Sequence, residues 1–319
     1  MTTIDQVSHR SRRTSSQAHR RSARHSARPA SGRALGGYHL VEALIAGWRP
    51  LQRLDVDGFA LLRSRGITRR ANSAVAVDAP SDDASLLAAV ERIEGLLAMT
   101  GEQACFRVLD VHGPEALDGL LAARGYDATG HSTLLELPLD RARTAAPHPS
   151  AEIRTGALDE DWFEAAWSLA PRDGDDARAT MHDILAGTPS VQVLLRSNGN
   201  GNGNGNGNGD GNGDGNGDDV DGGGAPVAVG RAALVEAGRG TAAILNMIAV
   251  DPRRRREGLG RAVSQTLLAI AAVQGADLAL LEVEQDNAPA AALYQGLGFH
   301  PRGSYHYRKQ AGAPPTPDS

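Results

Sequence analysis

The 319-residue chain is 41% hydrophobic and 22% charged, with a formal net charge of -5 at pH 7. That composition is typical of a globular protein with enough apolar residues for two ordinary domains or one large one. The nearly balanced charge argues against general affinity for nucleic acid or membranes. The only cysteine, Cys105, excludes an internal disulfide framework or thiolate metal site, so we expect a cytoplasmic protein.

Both ends and one internal repeat have compositions that do not build a core. Residues 1–33 are rich in Arg, Ser and His without the apolar segment of a secretory signal, and residues 311–319 are rich in Pro. Residues 197–224 largely alternate Gly with Asn or Asp. We expect all three segments to be disordered. The Pro-containing link "RARTAAPHPS" divides the rest into predicted domains 34–145 and 150–310.

The first domain alternates predicted helices and strands, and one of its segments resembles a later one. In "LDGLLAARGYDATG" and "AALYQGLGFHPRG", a glycine followed by an aromatic residue stands five positions after a leucine, which is Leu120 or Leu293. This match suggests an internal repeat in which Leu121 occupies the place of Tyr294.

The second domain begins with a predicted strand, two helices and another strand, which are "AEIRTG", "LDEDWFEAAWSLA", "DARATMHDILAG" and "VQVLL". The Asn/Gly/Asp repeat follows, and "APVAVGRAALVEA" after it is again a predicted strand. Asn-Gly and Asp-Gly are preferred hairpin turns, and closing a longer loop costs little extra entropy. We therefore interpret the repeat as an overgrown hairpin loop.

A calcium-binding loop is the alternative interpretation of the repeat, since part of it follows the acidic spacing of helix–loop–helix calcium sites. No helix is predicted on either side, however, and Gly217 stands where such loops carry an apolar residue. The residues in this pattern are Asp210, Asn212, Asp214, Gly215, Asp218 and Asp221.

Two strands and a glycine-rich turn then lead into a helix. "APVAVGRAALVEA" and "TAAILNMIAV" form a predicted hairpin, and "DPRRRREGLG" connects it to the helix "RAVSQTLLAIAAVQG", which ends at Gly275. The predicted core face of this helix is Val263, Leu267, Leu268 and Ala271. A buried strand "LALLEVE", a helix "APAAALYQGLG" and a strand "SYHYRK" follow.

The connection "DPRRRREGLG" has the features of an anion site. Gly258 and Gly260 let the backbone approach a ligand closely, and the unpaired N–H groups at the helix start attract negative charge. The arginines at 253–256 add positive charge, so the segment suits a pyrophosphate. Its R-x-x-G-x-G spacing is neither a P-loop, which needs Lys-Ser or Lys-Thr after the glycines, nor the G-x-G-x-x-G dinucleotide motif.

Two motifs resemble the signatures of the GNAT superfamily of N-acetyltransferases. Arg255–Gly260 resembles its acyl-CoA pyrophosphate loop, and "LEVEQDNAPAAALYQGLGF" carries the second motif from Asn287 to Phe299. The resemblance covers about 150–310 and implies an α/β (α+β) fold with a mixed, mostly antiparallel central sheet flanked by helices. Residues 34–145 resemble a degenerate GNAT-like N-terminal half, particularly through "GITRRANS", which would complete the sheet and shape the acceptor cleft without binding CoA.

The resemblance also implies where acetyl-CoA would bind. In the family it lies where the fourth strand splays from the fifth, here Thr241–Val250 and Leu278–Glu284. The first of these strands would hold the pantetheine through its backbone, the amides from Arg256 to Arg261 would hold the pyrophosphate, and Tyr294 would be the general acid beside the departing thiolate. The implied cofactor-binding residues are Met247, Ile248, Val250, Arg255, Arg256, Glu257, Gly258, Leu259, Gly260, Arg261 and Asn287.

The general base stays open at this point. Many family members carry Glu on the fourth strand, where this sequence has Asn246. The nearby carboxylates in sequence are Glu236, Glu282 and Glu284, and strand alternation places the last two on one face. The candidate acceptor contacts in the first domain are Trp48, Arg70 and Asn72.

The resemblance implies direct transfer of an acetyl group from acetyl-CoA to a primary amine of a small-molecule or protein acceptor, with no metal. A non-catalytic acyl-CoA sensor is the alternative, which the absence of Glu at position 246 favours. A third hypothesis is calcium-dependent interaction through the Asn/Gly/Asp repeat.

Overall fold

The structure is a computed structural model that describes residues 35–140, 145–197 and 224–310. The predicted tails and the calcium-like pattern from Asp210 to Asp221 lie outside the described residues. All the described parts belong to one compact unit. The predicted domain boundary near residue 150 stays a prediction.

From residue 150 onward, the helices and strands follow one another in the predicted order. The helices are α1 (Gly37–Gly47), α2 (Asp83–Ala98), α3 (Leu117–Ala123), α4 (Glu160–Leu169), α5 (Ala177–Ala186), α6 (Leu259–Val273) and α7 (Ala288–Gln295). The strands are β1 (Gln52–Val56), β2 (Phe59–Arg63), β3 (Ala74–Ala76), β4 (Cys105–Leu109), β5 (Tyr126–Pro138), β6 (Glu152–Gly156), β7 (Ser190–Arg196), β8 (Pro226–Ala237), β9 (Gly240–Val250), β10 (Leu278–Glu284) and β11 (His300–Gln310). The last strand begins four residues earlier than "SYHYRK" because His300 already pairs with β5.

All strands of the described residues join one eleven-stranded sheet in the order β1-β2-β3-β4-β11-β5-β10-β9-β8-β7-β6. Only the β3–β4 and β9–β10 pairs are parallel, and the other neighbours are antiparallel. Helix α6 packs on one face of the sheet and α1 on the other, each over its own apolar cluster. The predicted mixed, mostly antiparallel sheet flanked by helices is confirmed.

The strand order has an approximate twofold symmetry. If β6 is set aside, β1 to β5 occupy places equivalent to those of β7 to β11, read from opposite ends of the sheet. The final strand of each half lies in the other half, because β11 pairs with β4 while β5 pairs with β10. The two halves therefore share one continuous sheet rather than packing as separate bodies.

The Asn/Gly/Asp repeat begins and ends on neighbouring antiparallel strands, β7 and β8. At its root, the amide of Ser197 donates to the carbonyl of Ala225 at 2.8 Å. The repeat thus connects two strands that already pair along their length, as a hairpin connection does.

Helix α6 is seated against the sheet by an apolar face and by one glycine. The four predicted core residues of this helix are all buried, which confirms that face. Gly230 on β8 lies directly beneath the helix, and a Cβ there would stand 2.5 Å from Cγ1 of Val263. Glycine at this position therefore permits the close approach of α6 to β8. None of the helices in the described part of the chain has the length and apolar content needed to cross a bilayer.

Candidate active site

The sheet opens between β9 and β10. Their parallel pairing runs from Ala242 with Leu278 to Leu245 with Leu281 and stops there. Beyond that point β9 continues along β8, while β10 continues along β5 as far as Glu284. The facing edges of the two strands diverge, so backbone groups on the open edge of β9 are available to a ligand.

A β-bulge shapes the open edge of β9. Arg231 of β8 pairs with Asn246, whereas Val229 pairs with Ala249, so β9 has one extra residue between these pairs. Met247 takes up that residue with φ of 51°, in the left-handed region. The bulge shifts the alternation of side chains, because Ile248 now packs on the α6 side while Met247 packs on the side of α4 and α5.

The opening contains a cleft of about 240 Å³. The cleft passes through the sheet, because residues on both faces of β10 line it. These are Leu281 and Val283 on the α6 side, and Glu282 and Glu284 on the opposite side. The remaining lining residues are Arg69, Arg70, Ser132, Ala170, Arg172, Leu245, Asn246, Met247, Ile248, Ala249, Asn287, Ala290, Tyr294, Tyr305 and Tyr307.

Tyr294 projects from α7 into the wall of this cleft. Its side chain is buried, with the Phe299 ring edge-on at 5.7 Å. Burial raises the pKa of the Tyr294 hydroxyl to about 12, and a hydrogen bond with Ser264 opposes that shift. A phenol with this pKa stays protonated at neutral pH and is able to donate its proton to a leaving group.

The start of α6 lies beside the end of β9. Gly258 is the residue before the helix and has φ of 81°, and Arg256 also lies in the left-handed region at 69°. The first helical turn leaves its N–H groups without partners inside the helix. A Cβ on Gly260 would lie 3.7 Å from Cγ2 of Val250, so the amides of this turn adjoin the open edge of β9.

The basic run before α6 divides into paired and unpaired arginines. Arg253 forms an ion pair with Asp251 at 2.8 Å, and Arg254 with Glu257 at 2.7 Å. Arg255 and Arg256 are exposed and have no ion-pair partner among the described residues. Two guanidinium groups and the open amides at the start of α6 are the donor set that a pyrophosphate requires, so the residues present fit acyl-CoA.

Comparison with known proteins identifies the family of one segment. Residues 218–299 match the model of the Acetyltransferase (GNAT) family. Residues 218–299 are therefore a segment of the GNAT type. The chain's matched segments cover only part of its curated relatives, so they do not by themselves assign an activity.

Three similar proteins define the extent of the likeness. A 58-residue segment is 47% identical to ribosomal protein bS18-alanine N-acetyltransferase of Escherichia coli (strain K12), covering 18% of this chain and 39% of that protein. Over 254 residues the chain is 28% identical to mycothiol acetyltransferase of Clavibacter michiganensis, covering 74% of this chain and 65% of that relative. The structure of a GCN5-related N-acetyltransferase from Kribbella flavida superposes with a TM-score of 0.60 at 19% identity, covering 88% of this chain and 98% of that one.

The structure brings together some of the predicted site residues. Met247, Ile248, Asn287 and Tyr294 all line the cleft. Asn287 also caps α7, because its side-chain oxygen accepts from the amide of Ala290 at 3.1 Å. The other predicted residues lie outside the cleft, at the end of β9 and around the start of α6: Val250, Arg255, Arg256, Glu257, Gly258, Leu259, Gly260 and Arg261.

The three carboxylates considered for the base lie in different surroundings. Glu236 is exposed on β8 near the turn to β9 and does not line the cleft. Glu282 is buried between Arg107 and Arg70, each donating to one of its two oxygens. Glu284 lines the cleft, is 44% exposed and has Nη2 of Arg69 at 3.5 Å from one oxygen.

Asn246 lines the cleft, but its side chain has a structural role. Its side-chain amide donates to the carbonyls of Ile244 and Gly47 at 3.1 and 3.3 Å. Its oxygen accepts at 3.3 Å from Arg231, which is fully buried and also donates to the carbonyl of Leu185. These contacts connect β8 and β9 to the ends of α1 and α5, so Asn246 holds the sheet beneath the cleft and supplies no base.

The three predicted acceptor residues of the first domain differ in whether they line the cleft or support the residues that do. Arg70 lines the cleft, with its guanidinium 4.5 Å above the ring of Trp48. Trp48 is buried and donates through Nε1 to the hydroxyl of Thr68 at 3.0 Å. Asn72 instead binds backbone groups of its own loop, accepting from Ser64 at 2.7 Å. Neither Trp48 nor Asn72 lines the cleft.

Sequence reasoning missed several wall residues. Arg69 stands next to Arg70 in "GITRRANS", and its position in that loop was the available signal. Arg172 lies in the connection between α4 and α5, and no motif marks it. Tyr305 and Tyr307 come from β11, where their spacing only indicates one face of a strand.

In the described part of the chain, no group of three or more His, Cys, Asp or Glu side chains is arranged to hold a metal ion.

Proposed function

We propose that this protein is an N-acetyltransferase that transfers the acetyl group of acetyl-CoA directly to a primary amine. The observation that carries the proposal is the opening between β9 and β10, with Tyr294 in its wall and the arginine-rich start of α6 at its end. Both named curated relatives are acetyltransferases, which supports this reaction class.

The proposed orientation of acetyl-CoA follows from the two sides of the sheet. The pyrophosphate would lie on the amides at the start of α6, near Arg255 and Arg256, because these groups supply unshared donors. The pantetheine would run along the open edge of β9 past Ile248. The thioester would then reach the part of the cleft that Tyr294 lines, and the amine would enter from the side of Glu284.

The proposed reaction needs one acid and one base. The amine nitrogen forms a bond to the thioester carbonyl carbon, and the carbon–sulfur bond breaks. Tyr294 gives its proton to the departing sulfur, and the amine gives up a proton to a base. Backbone N–H groups on the bulged edge of β9 would polarise the carbonyl.

Glu284 is the carboxylate that we propose as base, directly or through a water molecule. Both oxygens of Glu282 already accept from arginines, and Asn246 has no basic group. Glu284 lines the same cleft and is 44% exposed, so it retains access to a proton from the acceptor.

The test is thiol release from acetyl-CoA with a panel of primary amines. The Tyr294→Phe chain should lose roughly 10²- to 10⁴-fold in kcat, the usual contribution of general acid–base catalysis, with its affinity for acetyl-CoA unchanged. Tyr126→Phe is the matched control, because it removes the hydroxyl of a buried tyrosine that lies outside the cleft.

The same experiment separates an enzyme from an acyl-CoA sensor. A sensor would bind acetyl-CoA, turn over no amine in the panel and show no difference between the two variants. That result would reject the proposed activity while leaving the binding site intact.

A further inference from the structure

The cleft has an excess of positive charge on the side opposite α6. Arg69, Arg70 and Arg172 line it, and Arg107 lies directly behind Glu282. Glu282 and Glu284 are the carboxylates that line it. Three guanidinium groups therefore line the cleft with two carboxylates, and Arg107 adds a fourth positive charge behind Glu282, which leaves a formal excess of two positive charges around a partly buried space.

The loop that supplies two of these arginines is held in a strained conformation. Arg65 and Thr68 have φ of 53° and 62°, in the left-handed region that non-glycine residues rarely occupy. The Asn72 side chain fixes the loop, because its oxygen accepts from Ser64 and its amide donates to the carbonyl of Ile67, each at 2.7 Å. Strain of this kind is typically retained where it positions functional groups. Here the strained loop positions Arg69 and Arg70.

Aromatic rings hold these arginines in place. The Arg69 guanidinium is 5.3 Å from the ring centre of Tyr307, and that of Arg107 is 3.9 Å from Tyr305. Together with the ring of Trp48 under Arg70, these contacts orient the flat guanidinium groups through their faces. The arginines are preorganised, so they would lose little freedom on binding a ligand.

Arg172 faces this cluster from the second half of the molecule. Its burial lowers the pKa of the guanidinium, and repulsion from Arg70 lowers it further, while Glu284 acts in the opposite direction. A negatively charged ligand beside Arg172 would relieve that repulsion, since it would stand between like charges in a space of low dielectric constant.

We propose that the acceptor carries an anionic oxygen group, a carboxylate or a phosphate, which binds between Arg69, Arg70 and Arg172 on the side of the cleft opposite α6. This inference rests on the proposed acetyl transfer, because that reaction is what makes the bound molecule an acceptor. Anion binding itself does not require turnover. The cleft of about 240 Å³ has room for about eight water molecules at 30 Å³ each, which is enough for a small group and its link to an amine.

The test is a titration of the full chain with inorganic phosphate, and separately with acetate, observed through the Nε–Hε resonances of arginine. The Arg172 resonance, assigned with Arg172→Lys, should shift saturably with at least one anion. The shift should weaken at least tenfold in apparent affinity in Arg70→Gln. Arg178 is the matched control, because it lies on α5 outside the cleft and pairs with Glu164.

The start of α6 is a second place where phosphate would bind, so the titration is repeated on Gly258→Asp, in which a carboxylate stands at that helix start. A shift of Arg172 that persists in this variant supports an anion site in the cleft. No saturable shift, or an equal shift of Arg178, would overturn the inference. Absence of acetyl-CoA binding to the unsubstituted chain, measured separately by calorimetry, would instead count against the proposed function.

Discussion

Two helix starts, at α2 and α6, occupy equivalent places in the two halves of the sheet but differ in chemistry. At α2 the carboxylate of Asp82 accepts from the amide of Ser85 at 2.9 Å, so the helix carries its own anion. At α6 the equivalent residue is Gly258, which has no side chain to cap the helix. A helix start attracts negative charge in either case, and only the one without an internal carboxylate is open to an external phosphate.

The helices that follow show the same contrast. α3 and α7 each end before a glycine with positive φ, Gly125 at 83° and Gly298 at 93°, and a long strand follows. The residue at the equivalent buried position is Leu121 in the first half and Tyr294 in the second. The order of helix, glycine and strand is the same in both halves, while a tyrosine stands at this position in only one of them. Equivalent topology in the two halves therefore does not imply equivalent chemistry.

The largest effect on acetyl-CoA binding is expected when the start of α6 is given a capping aspartate like that of α2. Gly258→Asp should weaken acetyl-CoA binding by roughly 10²- to 10⁴-fold, because two hydrogen bonds to a charged group at roughly 1.5–3 kcal/mol each would be lost or opposed. Calorimetric titration measures this change. Gly275→Asp is the matched control, since Gly275 also has positive φ, ends the same helix and leaves open space around a Cβ. Equal weakening by both variants would contradict a local anion site.

The pH dependence of turnover sharpens the role of Tyr294. In the proposed reaction its acid form is the active one, and burial raises its pKa from 10.0 to about 12. Activity that depends on this proton should therefore be retained through pH 10, where an ordinary tyrosine of pKa about 10 would be half ionised. The measurement is kcat against pH, with folding monitored in parallel. A twofold loss of kcat near pH 10 in a folded protein would contradict the assignment.

The smallest effect is expected at the α2 cap. Asp82→Ala should lower the free energy of unfolding slightly, because an N-cap side chain is lost, and should leave acetyl-CoA affinity unchanged. Denaturant unfolding and calorimetry measure the two quantities. A change in acetyl-CoA affinity without a change in stability would indicate that the first half takes part in binding.

The local features of the site were predictable from sequence because they lie in short segments. The glycine-rich helix start and the helix carrying Tyr294 each occupy one continuous motif, and the structure places both beside the opening in the sheet. The apolar face of α6 followed from its spacing of buried residues in the same way.

The acceptor side was not predictable because it is assembled from distant parts of the chain. Glu282 pairs with Arg107 and Arg70, which lie 175 and 212 residues away in sequence. The exchange of β5 and β11 between the halves, which brings Tyr305 and Tyr307 to the cleft, also leaves no local signal. Strand pairing of this range depends on the whole sheet and not on any one segment.

The most direct test of the two-halves comparison is the stoichiometry of acetyl-CoA binding to the full chain, measured by calorimetric titration. We expect one molecule bound per chain, at a site that depends on Gly258. Two molecules per chain would show that the half containing α2 also binds acyl-CoA, and no binding would contradict the assignment of the α6 start as a pyrophosphate site.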